Sequence, residues 1–464
     1  MNRLKILWND KAFMKKTIAL TVPVALQNML NNVLNLVDTL MIGQLGETSV
    51  AAVGLANKIF FVFSLLLFGV CSGSGILASQ YWGKRDILNI RRVLRIALMI
   101  GFGGSFLFVI PSVLFPKLVM RIFTPGTETI AIGAAYLCVV AISYPITAIT
   151  NSYIAILRSM NCVKLPVVIT SIAIAVNVVF NYSLIFGKFG FPEMGVVGAA
   201  IATLIARIVE CSSLLLLIHL HQAGDDGIGD FIHTKFNSMR ERIFLQKEFV
   251  FKYFHTAAPV IANEFMWGLG VTMYSLVYGR MGDASTAAIT ITGTVEQVIL
   301  VIFFGICSSA AVILGNELGA DNLKRAEEYA KNYMVLQFLL TLVGAAITLI
   351  IKEPIIALFS VSDVVANYIR LCIIVFACYM PFRMLNALLI VAILRSGGDT
   401  KAALFLDVSG VWCIGIPMAF IGGLVLHMPI YVVYAMVLTE EVYKVILGYL
   451  RYRKKKWLKN IVSV

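Results

Sequence analysis

The chain has 464 residues, of which 59% are hydrophobic and only 14% charged, with a mean hydropathy of +0.88. Soluble domains of this total length would carry far more charge, so the solvent of this chain is mostly lipid. The net charge of +13 does not point to nucleic acid, because the lysines and arginines lie between apolar segments and at both ends, where they act as topology signals.

The opening MNRLKILWNDKAFMKK is basic, and Leu4, Leu7 and Trp8 share a helical face apart from Arg3 and Lys5. It reads as an interfacial segment. The apolar run behind it is longer than a signal peptide's core of roughly 7–15 residues and lacks a small-residue exit, so no cleaved leader is expected.

Twelve membrane segments follow, near 17–42, 50–79, 93–115, 130–153, 163–186, 195–220, 254–280, 286–314, 333–352, 365–393, 402–424 and 429–450. The first is polar on one side. Asn28, Asn31, Asn35 and Asp38 are spaced by three, four and three, which stacks them along one helical face. Gln27 and Asn32 widen that face. The asparagines alone would also suit an inter-helix hydrogen-bond seam. An aspartate, however, costs about 2.5–3.5 kcal/mol to insert and so faces a wet cavity or a protein interior. Asp38, with Asn35 beside it, is therefore expected to bind and release a cation, with Gln27, Asn28 and Asn31 facing the substrate cavity.

The loops alternate in charge. One set holds Lys15, Lys16, Lys84, Arg85, Arg91, Arg92, Arg158, Lys164, Lys324, Arg325, Arg395, Lys401 and the RYRKKKWLK tail; the other holds only Lys117, Arg121, Lys188, Arg280, Lys352 and Arg370. Positive residues mark the cytoplasmic side, so both termini are expected there. The chain also repeats. Pro23 and Pro259, Gly46 and Gly282, Gly69 and Gly305, Cys71 and Cys307, and Gly83 and Gly319 keep an offset of 236, and Leu157-Arg158-Ser159 matches Leu394-Arg395-Ser396 at 237. Each half has six segments and starts inside, so the repeat is parallel.

The expected fold is an all-α integral membrane protein, with twelve transmembrane helices in two pseudo-twofold six-helix bundles. Residues 1–220 form an N-lobe, 221–252 a cytoplasmic linker with an amphipathic helix, and 253–464 a C-lobe with a basic tail. His219, His221 and His233 near the linker read as solvated loop histidines. None of the eight cysteines forms a CxxC pair or has a histidine at ligand spacing, so they read as small buried hydrophobes.

Taken together, VDTLMIGQLG ending the first segment, ASQYWGKRD after the second, ILGNELGADNLKRA after the eighth, and LRSMNCVKLP and LRSGGDTKAA after the fourth and tenth resemble a multidrug and toxic compound extrusion (MATE) transporter of the MOP flippase superfamily. The resemblance covers nearly the whole chain. It implies export of organic cations and other amphipathic compounds in exchange for H⁺ or Na⁺, by alternating access, with no cofactor beyond the coupling ion.

By the same resemblance Asp38 matches the coupling carboxylate, Asn177 and Asn181 on helix 5 complete its site, and Thr203 on helix 6 is a weaker ligand position. One branch of the family has Asp where this chain has Asn181. Counting about 1.5 Å per residue from the cytoplasmic ends puts Asp38 and Asn181 at a common depth, and their oxygens suit a hard cation such as Na⁺. A proton needs only the carboxylate.

In the second half, Glu264, Glu296 and Arg383 fall near the midplane, where transporters place substrate. Arg383 with Glu264 or Glu296 is equally readable as a buried pair. Asp407 is expected to pair with Lys401 or Arg395, and Pro23 to ease a bend in the first helix. The partners expected are small cationic or amphipathic substrates and the bilayer, with no nucleic acid, for a multi-pass protein of a bacterial plasma membrane working as a monomer. A flippase for a lipid-linked metabolite is the alternative; a membrane enzyme or a channel fits less well, since no HExxH or intramembrane Ser/His dyad is present.

Overall fold

The computed structural model of the chain describes residues 10–220, 246–357, 359 and 361–463. The linker helix, His221, His233 and the first nine residues lie outside the described residues. So does the side chain of His219.

Every element among the described residues is helical. In the first half, α1 runs Lys11–Gly43, α2 Glu47–Gly83, α3 Ile87–Leu114, α4 Pro116–Arg121, α5 Thr127–Val140, α6 Ser143–Ser159, α7 Lys164–Ile185 and α8 Gly195–Leu220. In the second, α9 runs Lys247–Arg280, α10 Asp283–Gly319, α11 Leu323–Ala357 and α12 Asp363–Ala387, continued by a π-helical turn over Leu388–Leu394. Then α13, Thr400–Gly410, leads through π-helical Val411–Gly415 into α14, Ile416–Phe420, and α15 spans Ile430–Arg453. Among the described residues nine helices are long and apolar enough to cross a membrane, or ten if α5 and α6, bent by 44° at Ile142, count as one span.

The repeat seen in sequence is a repeat of structure. Both α2 and α10 are 37 residues long and begin 236 positions apart. Each is entered through a glycine with positive φ: Gly46 at φ 104° and Gly282 at φ 101°. Only glycine takes that conformation cheaply. The turns that leave these helices also correspond, with Arg85 at φ 61° and Asp321 at φ 64°, and later Asn161 at φ 65° and Gly398 at φ 75°.

Two compact units result: Leu26–Ala257, and Met1–Ala25 together with Ala258–Val464. In the unit formed by 26–257, the start of α9 packs on α2, where Tyr253 shares a 2.7 Å hydrogen bond with Ser74. In the other unit the start of α1 packs on α10 and α11, through Thr21 with Ser309 at 2.8 Å and Thr17 with Tyr333 at 2.9 Å. The core of the first unit is a cluster around Phe63, Leu137 and Tyr144. Its Phe63 and Tyr144 rings stack with centroids 5.0 Å apart, tying α2 to α6.

Two expectations about charge and burial need correction. Arg158 and Arg395 were read as loop charges, but each turns inward to the first helix of its own half. Arg158 Nη2 donates to Gln27 Oε1 on α1 at 2.5 Å, and Arg395 Nη2 to Glu264 Oε1 on α9 at 2.9 Å. A guanidinium reaches far from its Cα, so its position in the chain says little about where its charge sits. The cysteines are not uniformly buried either; Cys378 and Cys413 lie exposed on helix faces, where a bilayer accepts a small apolar side chain as readily as a core does.

Candidate functional site

A cavity of about 360 Å³ opens in the unit formed by residues 26–257, lined by α1, α2, α5, α6, α7 and α8. Its size is that of a small-molecule pocket. From α1 it takes Asn31, Asn35 and Asp38; from α2, Asn57; from α7, Thr170, Asn177 and Asn181; from α8, Thr203, Arg207 and Glu210. The helical period selects these side chains: on α1 they fall at steps of four and three, and on α7 Thr170, Asn177 and Asn181 fall at seven and four.

At the centre of the polar wall, Asn181 Nδ2 donates to Asp38 Oδ1 at 2.6 Å and to Asn177 Oδ1 at 2.7 Å. Asn177 and Asn181 are 2% and 1% exposed, so their amides do not share the cavity with bulk water. Asn181 Oδ1 is buried with no hydrogen-bond partner, an acceptor a cation or a protonated group would satisfy. Among the described residues no lysine or arginine nitrogen lies within ion-pair distance of Asp38. A carboxylate, two amide oxygens and the Thr203 hydroxyl, which donates to Ala199 O at 3.0 Å and keeps its lone pairs for a ligand, form an oxygen set suited to a proton or a small hard cation.

Below this cluster the wall continues as a bonded chain. Arg207 Nη1 donates to Glu210 Oε2 at 2.8 Å, Thr170 Oγ1 donates to Glu210 Oε1 at 3.0 Å, and Gln27 Nε2 donates to Thr170 Oγ1 at 2.9 Å. Arg158 closes the chain on Gln27. Reading the sequence found Asp38, Asn177, Asn181, Thr203, Asn31 and Asn35 on this wall but missed Glu210 altogether. Its signal was available: an acid three residues after Arg207 within an otherwise apolar span. Neither Gln27 nor Asn28, both expected on the cavity face, lines it; Gln27 is buried between Thr170 of α7 and Arg158.

The second-half candidates lie elsewhere, in ion pairs. Arg383 Nη1 donates to Glu296 Oε2 at 2.6 Å, and the Tyr434 hydroxyl donates to the same carboxylate. Glu264 pairs with Arg395 rather than with Arg383. Asp407 pairs with Lys444 at 3.0 Å and accepts from Asn263 at 2.9 Å, so neither Lys401 nor Arg395 is its partner. Lys444 projects from α15, one helix further along the chain than a search of the flanking loop reaches. It also contacts Glu440 at 3.3 Å, while Tyr274, the repeat counterpart of Asp38, donates to Glu440 at 2.6 Å.

Long apolar helices around a polar, carboxylate-bearing cavity are the build of a multi-pass membrane transporter. A family profile described as MatE matches residues 23–183 and again 259–421, once per half, and the chain belongs to that family, which includes multidrug efflux transporters. It is similar to the uncharacterized transporter YisQ of Bacillus subtilis, 24% identical over 453 residues covering 97% of this chain and 96% of that one. The probable multidrug resistance protein NorM of Thermotoga maritima is 25% identical over 411 residues, 88% of this chain and 85% of its own. Among solved structures, an outward-facing multidrug resistance MATE transporter of the MOP superfamily matches with a TM-score of 0.84 at 18% identity, covering 95% of each chain. The Vibrio cholerae MATE transporter VcmN in its bent form matches with 0.83 at 18% identity, over 96% of this chain and 97% of that one.

Proposed function

We propose that the protein is an antiporter that exports organic cations and other amphipathic small molecules in exchange for H⁺ or Na⁺, with the coupling ion bound at Asp38. The observation that carries this is the unpaired carboxylate. Asp38 lines a cavity and has only an amide donor in contact, from Asn181, whose own oxygen is buried with no hydrogen-bond partner. An ionised carboxylate in such a place is costly, and a bound cation removes the cost. Asn177, Asn181 and Thr203 supply the remaining oxygens. The relatives named as multidrug resistance proteins support a drug-like cargo.

In this reading twelve helices span the membrane with both termini cytoplasmic. The 33-residue α1 and the 24-residue α15 are long enough at about 1.5 Å per residue; their polar side chains keep them out of a purely apolar count. Loading Asp38 changes the favoured packing of α1, and Pro23, inside that helix and two residues before the unit boundary, makes a bend there cheaper by removing a backbone donor. A flippase with anionic cargo is disfavoured, because among the described residues Arg207 is the only basic one lining the cavity and it is paired with Glu210.

The driving force suffices. One charge moved through 100 mV is worth about 2.3 kcal/mol and one pH unit about 1.4 kcal/mol, together roughly a few-hundred-fold in substrate concentration. Efflux of a cationic dye from proteoliposomes, driven by an imposed pH gradient and separately by a Na⁺ gradient, tests the reading. At least one gradient drives efflux in the wild type, and Asp38→Asn brings it to background. Full exchange by Asp38→Asn at equal expression overturns it.

A further inference from the structure

We propose that Arg207 is a tethered competitor for the coupling cation, a guanidinium shared between a fixed carboxylate, Glu210, and a free one, Asp38. The inference rests on the cation site proposed above and adds to it the residue that sets how readily the cation leaves.

Glu210 is immobilised. Its side chain is 4% exposed, and its second oxygen is held by Thr170, which is braced by Gln27 and through it by Arg158. Arg207 is not. Its side chain is 32% exposed, it lines the same cavity as Asp38, and one of its five donors is engaged by Glu210. On α8 it sits one turn, about 6 Å, from Thr203, on the wall that also carries Asp38. The charged or titratable groups lining the cavity are Asp38 from α1, Tyr136 from α5, and Arg207 and Glu210 from α8; α2, α6 and α7 present only uncharged side chains. With Arg207 on Glu210, Asp38 is the lining charge left without a counter-ion among the described residues. With the cation bound, Arg207 rests on Glu210. When it leaves, the bare Asp38 draws the guanidinium, and Glu210 keeps Thr170 as a donor meanwhile.

The test is ethidium efflux from proteoliposomes, read as the external H⁺ or Na⁺ concentration that gives half-maximal rate. An opposite charge close to a carboxylate is worth about one to three decades in its cation affinity. Arg207→Gln therefore lowers the required concentration about tenfold, Glu210→Gln raises it several-fold, and the charge-neutral double variant returns to within about twofold of the wild type. Arg207→Lys and Glu210→Asp, which keep the charges, also stay within about twofold and separate a charge effect from a packing effect. Unchanged requirements in both single variants, or shifts in the same direction, overturn the proposal. Efflux by Asp38→Asn in the same assay overturns instead the cation site on which it rests.

Discussion

The two units share one repeating backbone and differ in whether the acid on their first helix has a basic partner. Among residues 258–464, Glu264, Glu296 and Asp407 each hold a basic partner at 2.6 to 3.0 Å. Among residues 26–257, Asp38 has none; its neighbours on the cavity wall are amides and hydroxyls, and the one guanidinium there, Arg207, is paired with Glu210. A buried pair resists change, since removing one partner strands the other charge in low dielectric. A half-buried, cavity-lining carboxylate without a basic partner is a charge the protein can offer to a ligand. The same fold thus gives one half a set of locks and leaves the other an acid free to take the role proposed above.

The largest stability effect should come from opening a lock. Arg395→Ala leaves Glu264 uncompensated in a position where the arginine side chain is 1% exposed, so unfolding should become easier by about 3–5 kcal/mol. Thermal unfolding in detergent reads this directly. Adding Glu264→Gln to the same chain should recover most of the loss, because the stranded charge is then gone. A melting temperature unmoved by Arg395→Ala would mean that this pair does not hold the unit.

That pair also marks where the sequence stops being legible. The repeat could be read because it is written in matched prolines, glycines and LRS turns at a constant offset, and the polar wall of the cavity because one acid stood on a face of asparagines. Partners could not be read. Arg395 lies 131 positions from Glu264, and Lys444 lies 37 from Asp407, so each pair is fixed by how helices pack and not by spacing within one helix. Arg158 and Arg395 misled for the same reason, as their charges lie far from where the chain order puts them. Glu210 was different. It was a lone acid in an apolar span three residues from an arginine, and helical spacing alone would have paired the two.

A second prediction sets the two halves side by side at one repeat position. Gly73 and Ser309 correspond, as do Ala257 and Thr21. A Cβ on Gly73 would stand 2.7 Å from Ala257 Cβ and 2.8 Å from its Cα, backbone that cannot swing away. Gly73→Ala should therefore cost about 1–3 kcal/mol as α2 and α9 are pushed apart. Ser309→Ala loses the hydrogen bonds to Thr21 and to Ile306 O without any steric clash, and should cost about 1 kcal/mol. Equal melting temperatures for the two variants would show that the contact is looser than its geometry.

Smaller still is the stability effect of Asp38→Asn. No basic partner is stranded, so the variant should unfold within about 1 kcal/mol of the wild type, or slightly later, while exchange falls to background. This dissociation of stability from activity is the reverse of what Arg395→Ala should show. A loss of several kcal/mol in Asp38→Asn would place Asp38 among the locks and remove the contrast between the units.

The smallest effect belongs to Thr203. Its hydroxyl hydrogen goes to Ala199 O on its own helix, so the cavity sees only oxygen lone pairs, one acceptor beside a carboxylate and two amide oxygens. Proton loading at Asp38 needs none of these acceptors, whereas Na⁺ gains from each oxygen it can gather. Thr203→Ala should accordingly leave H⁺-driven dye efflux within about twofold of the wild type and, if Na⁺ is the coupling ion, raise the Na⁺ required for half-maximal rate by about threefold, the worth of one weak acceptor at roughly 0.5–1 kcal/mol. The variant thus separates the two ions at the one ligand position whose loss disturbs neither the carboxylate nor the asparagine pair that holds it.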